Sequence, residues 1–147
     1  MSACLLGQEV RSDGGHALNN HRMLAHWQSE GRIVPFCPEC AAGLPTPREP
    51  AEILNGRVMT PSGEDFTDDF SRGAELALKL CLNQGIKLAV LKENSPSCGS
   101  TFIYDGQFTG TKISGQGMAA RTLRKNGIRV FSEDQLEKAA HWLESIS

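Results

Sequence analysis

One local pattern occurs three times in this sequence: a polar segment ends at a glycine, and a short apolar run follows. The glycines are Gly31, Gly85 and Gly127, and the apolar runs span residues 33–37, 86–91 and 128–131. A glycine after a helix adopts the left-handed conformation that ends the helix, and short β-rich runs form buried strands. Alternating helices and strands predict a parallel sheet covered by helices on both faces.

Helical patterns precede each of these runs. Helices are predicted at about residues 21–30, 68–84, 117–126 and 133–144, and a first strand at residues 1–5. Asn19 or Asn20 is the expected N-cap of the first helix. In the second helix, an apolar residue recurs at spacings of four, three and four, which places all of them on one face; these residues are Phe70, Ala74, Ala77 and Cys81. That face predicts a core position for Cys81.

These patterns predict an α/β chain with a single-domain, Rossmann-like, three-layer fold and a mostly parallel sheet. A length of 147 residues is that of one domain. A long Pro-rich loop is predicted after the second strand, because five prolines occur there. They are Pro38, Pro45, Pro47, Pro50 and Pro61. A connection of this length is usually functional.

Composition excludes several classes of protein. A net charge of −2 and a pI near 6.1 give no basic surface for duplex nucleic acid and no polybasic membrane patch. No apolar run approaches the roughly 18 residues that a membrane span needs. The first residues do not resemble a secretion signal. The expectation is a cytoplasmic protein with no nucleic acid duplex and no membrane as partner, and the residues carry no prediction of oligomeric state.

Five cysteines are unusual for such a protein. They are Cys4, Cys37, Cys40, Cys81 and Cys98. Their odd number and the reducing compartment argue against a disulfide framework. In open α/β sheets, ligands bind at the carboxyl ends of the strands. Cys4 and Cys37 end the first two predicted strands, and Cys98 lies seven residues past the third. These three cysteines are therefore expected at one edge of the sheet.

Three thiolates at one site are compatible with three kinds of chemistry. They could bind zinc with an open coordination position, hold an iron–sulfur cluster by three of its corners, or act as redox thiols, with Cys37 and Cys40 as the exchanging pair. The residues alone leave these alternatives open. Two further function classes follow from them: a cysteine-metal binding, sulfur-carrier or sensor module, and a thiol redox protein.

Longer motifs resemble a known family. They include Ala3-Cys4-Leu5-Leu6-Gly7, Cys37-Pro38-Glu39, Pro50-Ala51-Glu52, Ser95-Pro96-Ser97-Cys98-Gly99 and Tyr104-Asp105-Gly106. Together they span the chain from Ser2 to about Glu133, and they resemble the thiouracil desulfidase family, formerly a domain of unknown function. The resemblance implies one desulfidase domain over residues 1–147.

The resemblance also implies a cofactor and a reaction. The cofactor is a [4Fe–4S] cluster held by only three cysteines, here Cys4, Cys37 and Cys98, and the catalytic side chains are Glu39 and Ser95. The implied substrate is a small thiolated pyrimidine, such as 2-thiouracil, 4-thiouracil or a related nucleotide. Its sulfur would bind the free iron, and uracil and sulfide would form without redox chemistry. Cys40 departs from the family's pattern and has no assigned role.

Overall fold

All four predicted helices are present, and a short fifth one is added. The computed structural model describes residues 1–146. Its helices are α1 (Arg22–Ser29), α2 (Pro38–Ala41), α3 (Thr67–Gln84), α4 (Met118–Lys125) and α5 (Leu136–Ile146), with 3-10 turns at Ala3–Leu6 and Glu133–Gln135. Its strands are β1 (Glu52–Leu54), β2 (Arg57–Met59), β3 (Leu88–Leu91), β4 (Phe102–Tyr104), β5 (Lys112–Ser114) and β6 (Arg129–Ser132).

The parallel part of the structure is small. Strands β3 and β6 pair in parallel, from Leu88 opposite Arg129 onward. The chain start adds to them, because the Ser2 amide donates to the Val90 carbonyl at 3.0 Å and Ser2 forms a parallel bridge with Phe36. The other strands form two antiparallel hairpins, β1–β2 and β4–β5. The chain is therefore α/β, with a shorter parallel sheet than the sequence predicts.

Helices cover both faces of β3. Successive side chains of a strand point to opposite faces. Ala89 packs in one apolar cluster with Cys81 of α3 and Leu123 of α4. Val90 packs in a second cluster that includes Leu24 of α1. The two clusters confirm the prediction of helices on both faces, and Cys81 lies in the core as predicted.

The predicted first strand is wrong beyond Ser2. Residues Ala3–Leu6 form a 3-10 turn instead, which ends at Gly7 with a left-handed φ of 91°. Cys4 therefore lies on a turn and not at the end of a strand. The expected N-cap of α1 is also wrong. The N-cap is His21, whose side chain accepts a hydrogen bond from the Met23 amide at 3.0 Å, and the Asn19 side chain accepts one from the His21 amide.

The Pro-rich segment has regular structure of its own. Helix α2 begins with Pro38 at its first turn, where a missing N–H costs nothing. The hairpin β1–β2 follows, joined by Asn55 and Gly56, which both have positive φ. Two such residues form the tight turn whose twist suits a hairpin.

Within residues 1–146, no helix is both long and apolar enough to span a bilayer.

Helices α2 and α3 approach each other closely at one glycine. A Cβ added to Gly73 would overlap the Pro38 carbonyl oxygen and would lie 2.8 Å from the Pro38 carbonyl carbon. Only glycine allows this approach, and it sets α2 directly against α3. The position of the Cys37–Glu39 segment therefore depends on Gly73.

We expect Gly73→Ala to destabilise the protein by about 1–3 kcal/mol, the usual cost of overpacking. A loss of stability would be informative, because in an unconstrained helix the change from glycine to alanine increases stability. Urea denaturation measures the change. Glu75→Ala on the exposed side of α3 is the control and should stay within about 0.5 kcal/mol. A Gly73→Ala protein as stable as the wild type would contradict the close approach.

Candidate active site

The five site residues predicted from the sequence meet around one cavity. Its volume is about 280 Å³, and its walls come from the chain start, α2 and the loop after β3. The predicted residues on its walls are Cys4, Cys37, Glu39, Ser95 and Cys98. Backbone hydrogen bonds from the chain start to Val90 of β3 and to Phe36 bring these distant segments together, and Cys4 lies on a turn.

The three cysteines lie mostly below the protein surface. Cys4 and Cys98 are buried, and Cys37 is half-buried. Burial raises the pKa of Cys98 and of Cys37 to about 12, and it also raises the pKa of Cys4. The Ser2 hydroxyl donates a hydrogen bond to Cys98 Sγ at 3.2 Å and accepts one from the Lys92 amide at 2.9 Å.

The donor set determines which cofactor the cavity suits. Three cysteine sulfurs line the cavity, and no histidine does. Thiolate sulfur is the ligand that iron–sulfur clusters use, and soft donors select such centres. Among residues 1–146, no three His, Cys, Asp or Glu side chains are arranged to hold a single metal ion. The sulfur donors fit a cluster held by Cys4, Cys37 and Cys98.

A buried ion pair holds the Glu39 carboxylate. The side chains of Arg48 and Glu39 are 5% and 14% exposed. Arg48 donates to Glu39 Oε2 through both Nε, at 3.0 Å, and Nη2, and it donates to the Val10 carbonyl at 3.0 Å. Arg48 therefore ties Glu39 to the backbone at Val10. Glu39 Oε1 has no hydrogen-bond partner within residues 1–146, so one carboxylate oxygen remains available to the cavity.

Ser95 shapes the turn that carries Cys98. Its Oγ accepts the amides of Ser97 at 3.0 Å and of Cys98 at 2.9 Å. A serine that binds the backbone two or three residues later is typical of such turns. Both bonds use the oxygen as acceptor, so the hydroxyl proton of Ser95 is free to donate.

A second buried carboxylate, which the sequence reasoning missed, organises this loop. Glu93 is 9% exposed. Its Oε1 accepts the amides of Ser100, Thr101 and Phe102 at 2.7, 3.0 and 3.1 Å, and its Oε2 accepts the Ser100 hydroxyl at 3.0 Å. Burial alone would raise the pKa of Glu93, but these hydrogen bonds outweigh it and lower the pKa below 4.5. The signal available in the sequence was a carboxylate two residues after the end of a buried strand.

The geometry does not favour a thiol redox pair. Cys40 Sγ lies 3.9 Å from the Val10 carbonyl oxygen and 3.6 Å from Thr46 Oγ1, and Cys40 is not among the residues that line the cavity. A reactive thiol needs a lowered pKa, whereas burial raises the pKa of Cys37. Cys40 is a hydrogen-bonding neighbour of Cys37, but the Cys37 thiol lacks the lowered pKa of a reactive redox cysteine.

Comparison with known proteins places the chain in a family. The sequence model of the 2-thiouracil desulfurase family matches residues 1–135. The chain belongs to this family. Its members are enzymes that cleave a C–S bond, so the predicted family and enzyme class are confirmed. The chain is also 42% identical over 146 residues to the uncharacterized protein YbbK of Bacillus subtilis (strain 168), covering 92% of this chain and 95% of the relative.

A solved structure shares the fold closely. It is a [4Fe-4S]-dependent thiouracil desulfidase, TudS, which is 55% identical to this chain. The match covers 97% of this chain and 95% of that one, with a TM-score of 0.96. The α/β fold described above is therefore the fold of this desulfurase relative.

We expect Glu93→Gln to lower the free energy of unfolding at pH 7 by about 1–3 kcal/mol, because hydrogen bonds to a charged acceptor are lost. Since the folded pKa of Glu93 is lowered, its contribution is fully present above the unfolded pKa near 4.5 and is lost as the pH falls through the folded value. Urea denaturation between pH 7 and 3 should show the two proteins converging. Glu75→Gln, on the exposed face of α3, is the control. A difference that stays constant with pH would contradict this role.

Proposed function

We propose that this protein is a [4Fe–4S]-dependent desulfidase that converts 2-thiouracil, 4-thiouracil or a related thiolated pyrimidine or nucleotide to the oxygen-containing pyrimidine and sulfide. The observation that carries the proposal is the convergence of Cys4, Cys37 and Cys98 on one cavity beside Glu39. Family membership and the likeness to TudS support it. The whole chain, residues 1–147, acts as one desulfidase domain with a Rossmann-like, three-layer arrangement.

Cys4, Cys37 and Cys98 would hold the cluster, which has one iron more than these three ligands. When bound, the cluster supplies at that iron a soft Lewis acid for the thiocarbonyl sulfur. Three reduced cysteines suit a reducing compartment, which supports a cytoplasmic location.

Glu39 is the proposed general base. Its free Oε1 takes a proton from the water that attacks the carbon bearing the sulfur, while Arg48 holds Oε2 in place. A base with one oxygen fixed and one free is oriented before the substrate arrives. The balanced reaction consumes one water and releases one sulfide, with no net transfer of electrons.

Ser95 is the proposed hydrogen-bond donor to the substrate or the attacking water. Its oxygen accepts the amides of Ser97 and Cys98, so its hydroxyl proton remains to donate to a ligand. Aromatic side chains form apolar walls around the same space; they are Phe36, Phe66, Phe70 and Tyr104. These walls give a flat pyrimidine ring an apolar surface to pack against and limit access of water.

We expect Cys4→Ser, Cys37→Ser and Cys98→Ser each to abolish binding of a full cluster after anaerobic reconstitution with iron and sulfide, because each removes one of three ligands. Visible absorption with iron and sulfide counts measures the outcome. Cys40→Ser and Cys81→Ser are matched controls and should keep about four irons per chain. Loss of desulfidation in Cys40→Ser, or activity without any cluster, would contradict the proposal and favour a thiol redox protein.

We expect Glu39→Gln to keep its iron content and to lose about 10²- to 10⁴-fold in kcat/KM, the usual contribution of a general base. Glutamine retains an oxygen for Arg48 to bind, so the fold is spared. Sulfide release from 2-thiouracil measures the rate, and Glu75→Gln is the control. An unchanged rate in a fully loaded Glu39→Gln enzyme would remove Glu39 from the mechanism.

A further inference from the structure

Asn94 has an unusual backbone conformation at the cavity wall. Its φ is 74°, in the left-handed region, which non-glycine residues rarely adopt and in which asparagine is enriched. The hydrogen bonds of Glu93 to residues 100–102 hold this loop, and Asn94 itself forms a parallel bridge with Ile103. Residues kept in such conformations by their surroundings cluster at functional sites.

The side-chain amide of Asn94 is free to bind a ligand. Asn94 is half-buried and lines the cavity between Glu93 and Ser95. Its side chain has no hydrogen-bond partner within residues 1–146. In the described part of the chain, the side chains of Asn19 and Asn126 have partners, and the other asparagines without one, Asn20, Asn55 and Asn83, are exposed to solvent. The acceptor and the two donors of the Asn94 amide are therefore unused.

The substrate offers a matching pair of groups. In 2-thiouracil, N3–H lies between the thiocarbonyl at C2 and the carbonyl at C4. In 4-thiouracil, N3–H lies between the thiocarbonyl at C4 and the carbonyl at C2. In both isomers, N3–H and the remaining carbonyl are adjacent and lie on the same side of the thiocarbonyl. A carboxamide binds such an edge through two parallel hydrogen bonds, as asparagine does with a base edge in nucleic acids.

We propose that Asn94 is a specificity-determining residue that binds the N3–H and the adjacent carbonyl of the thiolated pyrimidine, with Oδ1 as acceptor and Nδ2 as donor. The inference rests on the proposed function and deepens it. Bound in this way, the ring presents its thiocarbonyl in one orientation for either isomer. A substrate without N3–H leaves the amide oxygen unpaired and is rejected.

Asn94→Gly tests the proposal with little disturbance of the loop, because glycine adopts a positive φ without strain. In the holoenzyme, we expect kcat/KM for 2-thiouracil to fall about 10- to 100-fold, the effect of losing two hydrogen bonds, with iron content unchanged. The dissociation constant for uracil should rise by a similar factor. The response to 1-methyl-2-thiouracil, which keeps N3–H, should match that to 2-thiouracil.

The decisive substrate is 3-methyl-2-thiouracil, which lacks N3–H. The preference of the wild type for 2-thiouracil over this compound should largely disappear in Asn94→Gly. Asn55→Gly is the matched control, since Asn55 has a φ of 51° in the exposed β1–β2 turn, and it should behave as the wild type.

Two results would overturn the assignment: unchanged kinetics in Asn94→Gly, or an equal loss of kcat/KM on 2-thiouracil and 3-methyl-2-thiouracil. A wild-type holoenzyme that releases no sulfide contradicts the proposed function instead. Uracil binding by the wild type and Asn94→Gly then still decides whether Asn94 binds this edge.

Discussion

The pairing of Ser2 between two neighbouring segments is the contact on which the site depends. Its amide binds the Val90 carbonyl, and the next amide, of Ala3, binds the Phe36 carbonyl at 3.0 Å. The Ser2 hydroxyl then joins the Lys92 amide to Cys98 Sγ. One residue thus connects the chain start, the segment before Cys37 and the loop that carries Cys98. The three cysteines converge because this residue holds their segments together.

The site also contains carboxylates whose burial would be costly if they had no polar partners. A buried carboxylate requires paired or hydrogen-bonded oxygens, and the site contains two. Glu93 has donors on both oxygens, all from its own loop, so its role is to fix that loop. Glu39 has donors on one oxygen only, all from Arg48. Glu93, with hydrogen bonds on both oxygens, therefore has a structural role. Glu39 keeps one oxygen that can act on a ligand.

The meeting of the three cysteines was predicted more accurately from the sequence than the local structure around them. The predicted convergence of Cys4, Cys37 and Cys98 on one cavity is present. Of the three strands used to predict it, only the third, β3, is formed, and the predicted strands at residues 1–5 and 33–37 are reduced to one bridge between Ser2 and Phe36. The turn at Cys4 was missed, although Gly7 is the signal for it. The β1–β2 hairpin was also missed, although Asn55-Gly56 is a strong hairpin signal. The bonds of Glu93 depend on amides seven to nine residues away, and no periodic pattern predicts them.

The four residues that follow β3, residues 92–95, each have a different role. The left-handed conformation of Asn94 makes this possible. Lys92 pairs with Glu133, with Nζ 2.9 Å from Oε2, and Glu93 turns inward to its loop. In an extended strand, side chains would continue to alternate between two faces. A positive φ at Asn94 breaks that alternation, and Ser95 follows with its Oγ bound to the next turn. The cost of the conformation, about 1–2 kcal/mol for an ordinary residue, is offset by the bonds of Glu93. The hydrogen bonds accepted by Glu93 therefore stabilise the loop and also keep Asn94 in its left-handed conformation at the cavity.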